Sequence, residues 1–318
     1  MRVTRDMIHP ELRRVGMVAK WLFRPSAWFF RLANRLGRRT NGRDVPGLDC
    51  AERRIDSIDA GVPVRVRVYR PPGTRGGGPL PGVLFAPGGG YALGTPEAFA
   101  TSYQKLIRTR PCVIVSVDYR KSLEVPYPAA LHDCYAALLW MKKDAAELGV
   151  SDDRLFVLGE SAGGGLTAAL TLLARDRGEV RVAHQFPLYP MIDDRMTTAS
   201  MRDNDAPLWS ARHNRLAWDL YLGGLRGDAV PKYAAPARET DYAGLPPTTT
   251  FVGDLDPFRD ETLAYVENLR AAGVPVACRV FEGCYHGFDL IQPDSTPGRE
   301  ANAFLCEQFA AAVDASAG

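Results

Sequence analysis

Residues 155–170 read Leu-Phe-Val-Leu-Gly-Glu-Ser-Ala-Gly-Gly-Gly-Leu-Thr-Ala-Ala-Leu. An apolar run of strand type, Leu155 to Leu158, feeds a glycine-flanked serine, Gly159-Glu160-Ser161-Ala162-Gly163, and a small-residue stretch of helical character follows. That context separates a nucleophile elbow from a chance G-x-S-x-G match. A serine at such a turn adopts strained backbone angles that lift its hydroxyl above the sheet edge, and glycines on both sides let neighbouring backbone pass without a Cβ clash. The helix behind it points its N-terminal amides at the site, where they favour developing negative charge. The plainer alternative, a glycine-rich turn with an incidental serine, is disfavoured by the strand and helix on either side.

A serine hydroxyl is a poor nucleophile until a base takes its proton. Of the five histidines, only His286 lies beyond both Ser161 and a plausible acid, the order expected after an elbow of this kind. It sits in Glu282-Gly283-Cys284-Tyr285-His286-Gly287-Phe288, a loop leaving the strand-like run Val276 to Phe281. His9, His132, His184 and His213 read as surface or packed side chains. The acid must come from Gly253-Asp254-Leu255-Asp256-Pro257-Phe258-Arg259-Asp260-Glu261. Asp260 and Glu261 fall in the first turn of the following helix, where acidic side chains offset the helix dipole. Asp256 precedes a proline and can cap that helix, with Pro257 at its first position; it is equally placed to accept the Nδ1 proton of a histidine. Asp254 stays open as the alternative.

Acyl transfer also needs donors for an oxyanion. Phe85-Ala86-Pro87-Gly88-Gly89-Gly90-Tyr91 follows the strand-like run Gly82 to Phe85, and its consecutive glycines let backbone amides approach a substrate oxygen. A flexible linker would share the composition, but linkers do not ordinarily begin at a buried strand and stop at an aromatic. The amide of Ala162, next after the serine, is the expected third donor.

Taken together, these motifs resemble the hormone-sensitive-lipase-like α/β-hydrolases, the fold-3 carboxylesterases. Asp118-Tyr119-Arg120 with Pro126-Tyr127-Pro128-Ala129-Ala130, Tyr189-Pro190-Met191-Ile192-Asp193-Asp194-Arg195, Asp256 to Glu261, and Tyr285-His286-Gly287-Phe288 extend the likeness along nearly the whole chain. The resemblance implies an α/β-hydrolase fold, a triad of Ser161, Asp256 and His286, and oxyanion donors at Gly89, Gly90 and Ala162. Two positions depart from it. Pro87 stands where the family usually has histidine, and Glu160 where it has aspartate or threonine. By the same resemblance, residues 1–48 form an N-terminal cap segment and 49–318 a catalytic domain with a cap insertion at about 191–224. Asn204, Asp205 and Trp209 fall where lid contacts to a substrate's alcohol group are expected, and Tyr91, which ends the glycine run, is a further substrate-binding candidate. The implied activity is a serine carboxylesterase acting on short- to medium-chain acyl esters, without metal or organic cofactor. An amidase or arylformamidase on the same triad is one alternative; a small-molecule binding protein on the same scaffold is another, and the presence of His286 counts against it. A homodimer is implied only by the family likeness.

Composition fits this reading. At 318 residues and 46% hydrophobic content the chain can bury one large core. Strand-like runs at Val83 to Ala86, Val113 to Val117, Leu155 to Leu158, Ala183 to Leu188, Thr249 to Val252 and Val276 to Phe281 alternate with helical stretches, which predicts a mostly parallel sheet. Val62 to Tyr69 alternates with period two and reads as an antiparallel edge strand. The six cysteines show no metal-type pairing, and reduced thiols in a cytoplasmic protein are the simplest expectation. Net charge is only +2, yet residues 1–44 carry eleven Lys or Arg against three acids, interleaved with Trp21, Leu22, Trp28 and Phe29. No nucleic-acid motif accompanies these charges. The segment is too interrupted to span a bilayer; cap formation and peripheral membrane contact are both compatible with it.

Overall fold

The computed structural model describes residues 1–23, 25–74, 76 and 78–317. Among the described residues, eight strands form a single sheet: β1 (Asp49–Asp56), β2 (Pro63–Arg70), β3 (Leu80–Ala86), β4 (Val113–Asp118), β5 (Val150–Glu160), β6 (His184–Leu188), β7 (Thr248–Gly253) and β8 (Val276–Phe281). Their spatial order is β1-β2-β4-β3-β5-β6-β7-β8. Strand β2 runs antiparallel to both its neighbours, and β3 to β8 pair in parallel. The helices are α1 (Arg13–Leu22), α2 (Ala27–Gly37), α3 (Ala100–Thr109), α4 (Ala129–Lys143), α5 (Ala145–Leu148), α6 (Ala162–Arg177), α7 (Ala211–Leu222), α8 (Arg259–Ala271), α9 (Phe288–Ile291) and α10 (Thr296–Ala315).

The strands read as unbroken apolar runs because both faces of the sheet are covered. Leu84, Val115 and Val157 point into one core with Leu138 of α4 and Leu166 of α6. Val83, Phe85, Ile114, Phe156 and Leu158 point the other way, toward Tyr103 and Leu106 of α3 and Leu305 and Phe309 of α10. Period-two geometry along each strand sends neighbours to opposite layers.

The expectation of an edge strand at Val62 to Tyr69 needs correction. That strand, β2, is antiparallel but second in the sheet, and the edge is β1. Glu52, Arg53 and Arg54 of β1 are exposed, so it lacks the apolar alternation that marks a half-buried strand. Charges of this kind on an edge discourage pairing with other chains.

A buried carboxylate fixes the corner between β4 and α4. Asp133 Oδ2 accepts from the Arg120 amide at 2.8 Å, and Oδ1 accepts from the Arg120 guanidinium at 2.7 Å and from Ser57 Oγ at 2.8 Å. This anchors the chain next to Tyr119, whose hydroxyl donates to the Pro87 carbonyl at 2.7 Å and so holds the start of the glycine loop. Removing the carboxylate leaves Arg120 and the hydroxyl underpaired, and breaking a buried pair of this sort costs about 3 kcal/mol. Asp133→Ala should therefore lose about that much stability in a denaturant titration; a loss below about 0.5 kcal/mol, the scale of a surface change, would show that the corner does not depend on it.

Candidate active site

Ser161 lies between the end of β5 and the start of α6 with φ +60° and ψ −120°, a conformation strained for any residue with a Cβ. Its surroundings over-determine it. The Ser161 amide donates to the Leu188 carbonyl at 2.9 Å, and its carbonyl accepts from Gly165 at 2.9 Å and Met191 at 3.0 Å. The elbow also passes so close to β3 that a Cβ on Gly163 would lie 1.9 Å from the Ala86 carbonyl oxygen. Only glycine fits there.

His286 stands opposite. Its Nε2 is 2.9 Å from Ser161 Oγ, and its Nδ1 is 2.7 Å from Asp256 Oδ2. A carboxylate can only accept, so Nδ1 carries the proton and Nε2 is left to accept from the serine hydroxyl. The imidazole is wedged edge-on against Tyr189 and Phe258, each with ring centroids 5.0 Å away. Asp256 is fully buried, and its second oxygen accepts from the Phe258 amide at 2.9 Å. The expectation that Asp256 caps the next helix is not met: the N-cap of α8 is Phe258 and no side chain caps it, so the Asp256 bond to the Phe258 amide closes a local turn while the other oxygen meets the histidine. Helix α8 begins at Arg259, so Pro257 lies before its first turn rather than at its first position.

Asp254 faces elsewhere. Its Oδ1 accepts from the Cys284 amide at 3.2 Å and braces the loop that carries His286, while burial raises its carboxyl above the usual range. The remaining histidines are placed in the fold. His132 pairs with Asp59 at 2.7 Å, and the His9 amide donates to Gly283. His184 packs on Phe186 and His213 on Trp209; burial lowers both to about 4.

The glycine loop lies beside the serine. Gly89 has φ +125°, and a Cβ there would meet the Leu93 carbonyl at 2.7 Å. Among the described residues, the amides of Gly89, Gly90 and Ala162 have no intramolecular acceptor. Trp209 reaches into the same space: its Cη2 would be 2.4 Å from a Cβ on Gly90, and its ring centroid is 6.1 Å from that of His286. Phe30 of α2 stacks behind it at 6.4 Å, a contact from a remote segment that no motif in the sequence announces.

Tyr91 and Asn204, expected at the substrate, have their polar atoms committed within the fold. Tyr91 donates to the Met191 carbonyl at 2.7 Å and stacks on Tyr221 at 3.8 Å. Asn204 donates to the carbonyls of Ser200 and Leu255 and accepts from Ala206. Both are buried, and these bonds hold segments around the site together. Asp260 and Glu261 do more than offset a helix dipole. Asp260 accepts from the Ser200 amide at 2.7 Å and Glu261 from the Ile192 amide at 2.9 Å, tying residues 191–204 to the acid loop. Among the described residues, no group of three or more His, Cys, Asp or Glu side chains is arranged to hold a metal ion.

With this geometry in place, the likeness to known proteins is specific. A family model described as alpha/beta hydrolase fold matches residues 83–290. The chain belongs to the hormone-sensitive-lipase-like α/β-hydrolases. Carboxylesterase NlhH of Mycobacterium tuberculosis (strain CDC 1551 / Oshkosh) is 36% identical over 250 residues, 77% of this chain and 76% of its own. Esterase LipI of Mycobacterium tuberculosis (strain ATCC 25618 / H37Rv) is 33% identical over 227 residues, 71% of each chain. The solved structure of a bacterial heroin esterase superposes with a TM-score of 0.87 at 33% identity, covering 98% of this chain and 99% of that one.

The departure at Glu160 has a physical consequence. Its carboxyl is buried directly before Ser161, accepts from Ser102 Oγ at 3.4 Å, and neighbours the equally buried Asp289. Burial and the second acid hold the Glu160 carboxyl well above the ordinary range. A carboxyl whose folded pKa is raised binds more protons folded than unfolded, so its contribution to stability falls as pH climbs from the ordinary carboxyl range. Glu160→Gln removes that slope. The variant should gain unfolding midpoint over the wild type at pH 8 relative to pH 5; an equal difference at both would show that Glu160 does not titrate in this window.

Proposed function

We propose that the protein is a serine carboxylesterase working through an acyl-enzyme. The observation that carries this is the continuous hydrogen-bonded line from Asp256 through His286 to Ser161, with contacts of 2.7 and 2.9 Å. His286 Nε2 takes the Ser161 proton as Oγ attacks the ester carbonyl; the imidazolium is stabilised by Asp256 and then protonates the leaving alcohol. In the second half, His286 deprotonates a water that attacks the acyl-enzyme, and the carboxylic acid departs with Ser161 regenerated.

The charge that develops on the carbonyl oxygen is received by the amides of Gly89, Gly90 and Ala162, which lie at the elbow and the glycine loop and lack an acceptor among the described residues. Pro87 removes no donor from this set, and the Tyr119 hydroxyl on its carbonyl supplies an anchor for the loop. Residues 1–48 and about 191–224 act as the cap: Phe30 and Trp209 stack over the site and exclude water. Short- to medium-chain acyl esters are the substrate class we infer from the family likeness.

Kinetics on one short-chain ester test the assignment. Ser161→Ala should lower kcat by about 10⁴-fold or more while the protein stays folded. Asp256→Asn should cost about 10³- to 10⁴-fold, and Asp254→Asn far less, because only Asp256 fixes the histidine tautomer. A larger loss for Asp254→Asn would move the acid to that residue. Gly89→Ala should cost at least about 10²-fold, since the loop must shift to clear Leu93; a variant with wild-type kcat would place the oxyanion donors elsewhere.

A further inference from the structure

The first two helices present an outer surface that the esterase reading leaves unused. On α1, Val15, Val18, Trp21 and Leu22 are exposed; on α2, Trp28, Leu32 and Leu36 are exposed. The spacings 15, 18, 22 and 28, 32, 36 make one stripe along each helix. Trp21 is 77% exposed, and Leu22 and Trp28 are 70% exposed, far from the behaviour of side chains waiting at the margin of a core. The inner faces of both helices are already docked. A Cβ on Gly16 would touch Tyr285, Phe30 is fully buried, and Asn34 donates to the Ala92 carbonyl at 2.6 Å.

Charge identifies what covers the outer face. Residues 13–40 contain eight Lys or Arg and no acid. Arg14 flanks the α1 stripe, and Arg31, Arg35 and Arg39 alternate with the apolar residues of the α2 stripe; all four are exposed. Among the described residues none of these four guanidinium groups has a carboxylate partner. A second copy of the chain seated here would bring like charges together across the interface. Two tryptophans and several leucines ringed by unpaired guanidinium groups match the boundary of an anionic bilayer, where indole rings and aliphatic side chains enter the headgroup zone and arginines meet phosphates. The described helices are not long and apolar enough to cross a membrane, so the contact is one of lying on its surface.

We propose that the outer face of α1 and α2 is a docking surface for anionic lipid membranes. The surface borders a cleft of about 580 Å³ lined by Met17, Trp21, Phe23, Leu208 and His213. From there a chain of ring contacts, Phe23 to His213 at 5.9 Å, His213 to Trp209 at 5.5 Å and Trp209 to His286 at 6.1 Å, leads inward. Docking through α1 and α2 thus sets the outer end of this aromatic path at the lipid boundary.

The test is co-sedimentation of the full chain with phosphatidylcholine vesicles, with and without phosphatidylglycerol, and it reads binding rather than catalysis. Binding should require the anionic lipid and weaken strongly at about 1 M salt, where the Debye length falls to about 3 Å. Trp21→Glu with Trp28→Glu, and separately Arg31→Glu with Arg35→Glu, should each lower the partition coefficient about tenfold or more. Among the described residues the arginine pair has no carboxylate partner, so it keeps the test decisive if the tryptophan pair fails to fold. Equal affinity for neutral vesicles, undiminished binding by the arginine variant, or a wild-type dimer that the tryptophan variant converts to monomer would each overturn the proposal.

Discussion

The close passage of the elbow beneath the end of β3 is the constraint on which the site depends. With Gly163 pressed to the Ala86 carbonyl, Ser161 can only turn upward, and the Leu188, Gly165 and Met191 hydrogen bonds hold it there. The strain stored at φ +60° is sustained by the buried parallel strands on either side, β3 and β6, which cannot yield without opening the core. The same passage brings the glycine loop alongside the serine, because that loop continues directly from β3. The energetics of the core and the geometry of the reacting groups are therefore one problem.

The other groups converge by a different route. The loops after β7 and β8 carry Asp256 and His286, and those strands are neighbours in the sheet. Asp254 and Leu255 bind the Cys284 backbone, which keeps the two loops in register. Remote segments then complete the enclosure. Asp260 and Glu261 fasten residues 191–204 to the acid loop, and α2 brings Phe30 behind Trp209. The carboxylates next to the candidate triad thus serve mainly to assemble its walls.

Much of this arrangement is legible in the sequence because backbone constraints leave few residue choices. A glycine where a Cβ would meet a carbonyl, or a continuous apolar strand buried on both faces, is visible one residue at a time. Strand β1 was not legible, since an exposed edge rich in Glu and Arg has no periodic signature. Nor was the fate of Tyr91 and Asn204: whether a polar group faces a substrate or a carbonyl of its own fold depends on contacts about 50 to 100 residues away in sequence. The contact between Phe30 and Trp209 is equally silent, because an aromatic on an amphipathic helix carries no mark of which partner it will stack on.

Ser161 alone is expected to react covalently with an acyl donor. Treating the protein with an organophosphonate ester and mapping the adduct by peptide mass spectrometry tests it without reference to any particular substrate. Stoichiometric modification of Ser161 is expected, abolished in His286→Ala, with other serines untouched. Modification at Ser116 or Ser151, or labelling of Ser161 that persists at the wild-type rate without the imidazole, would contradict it.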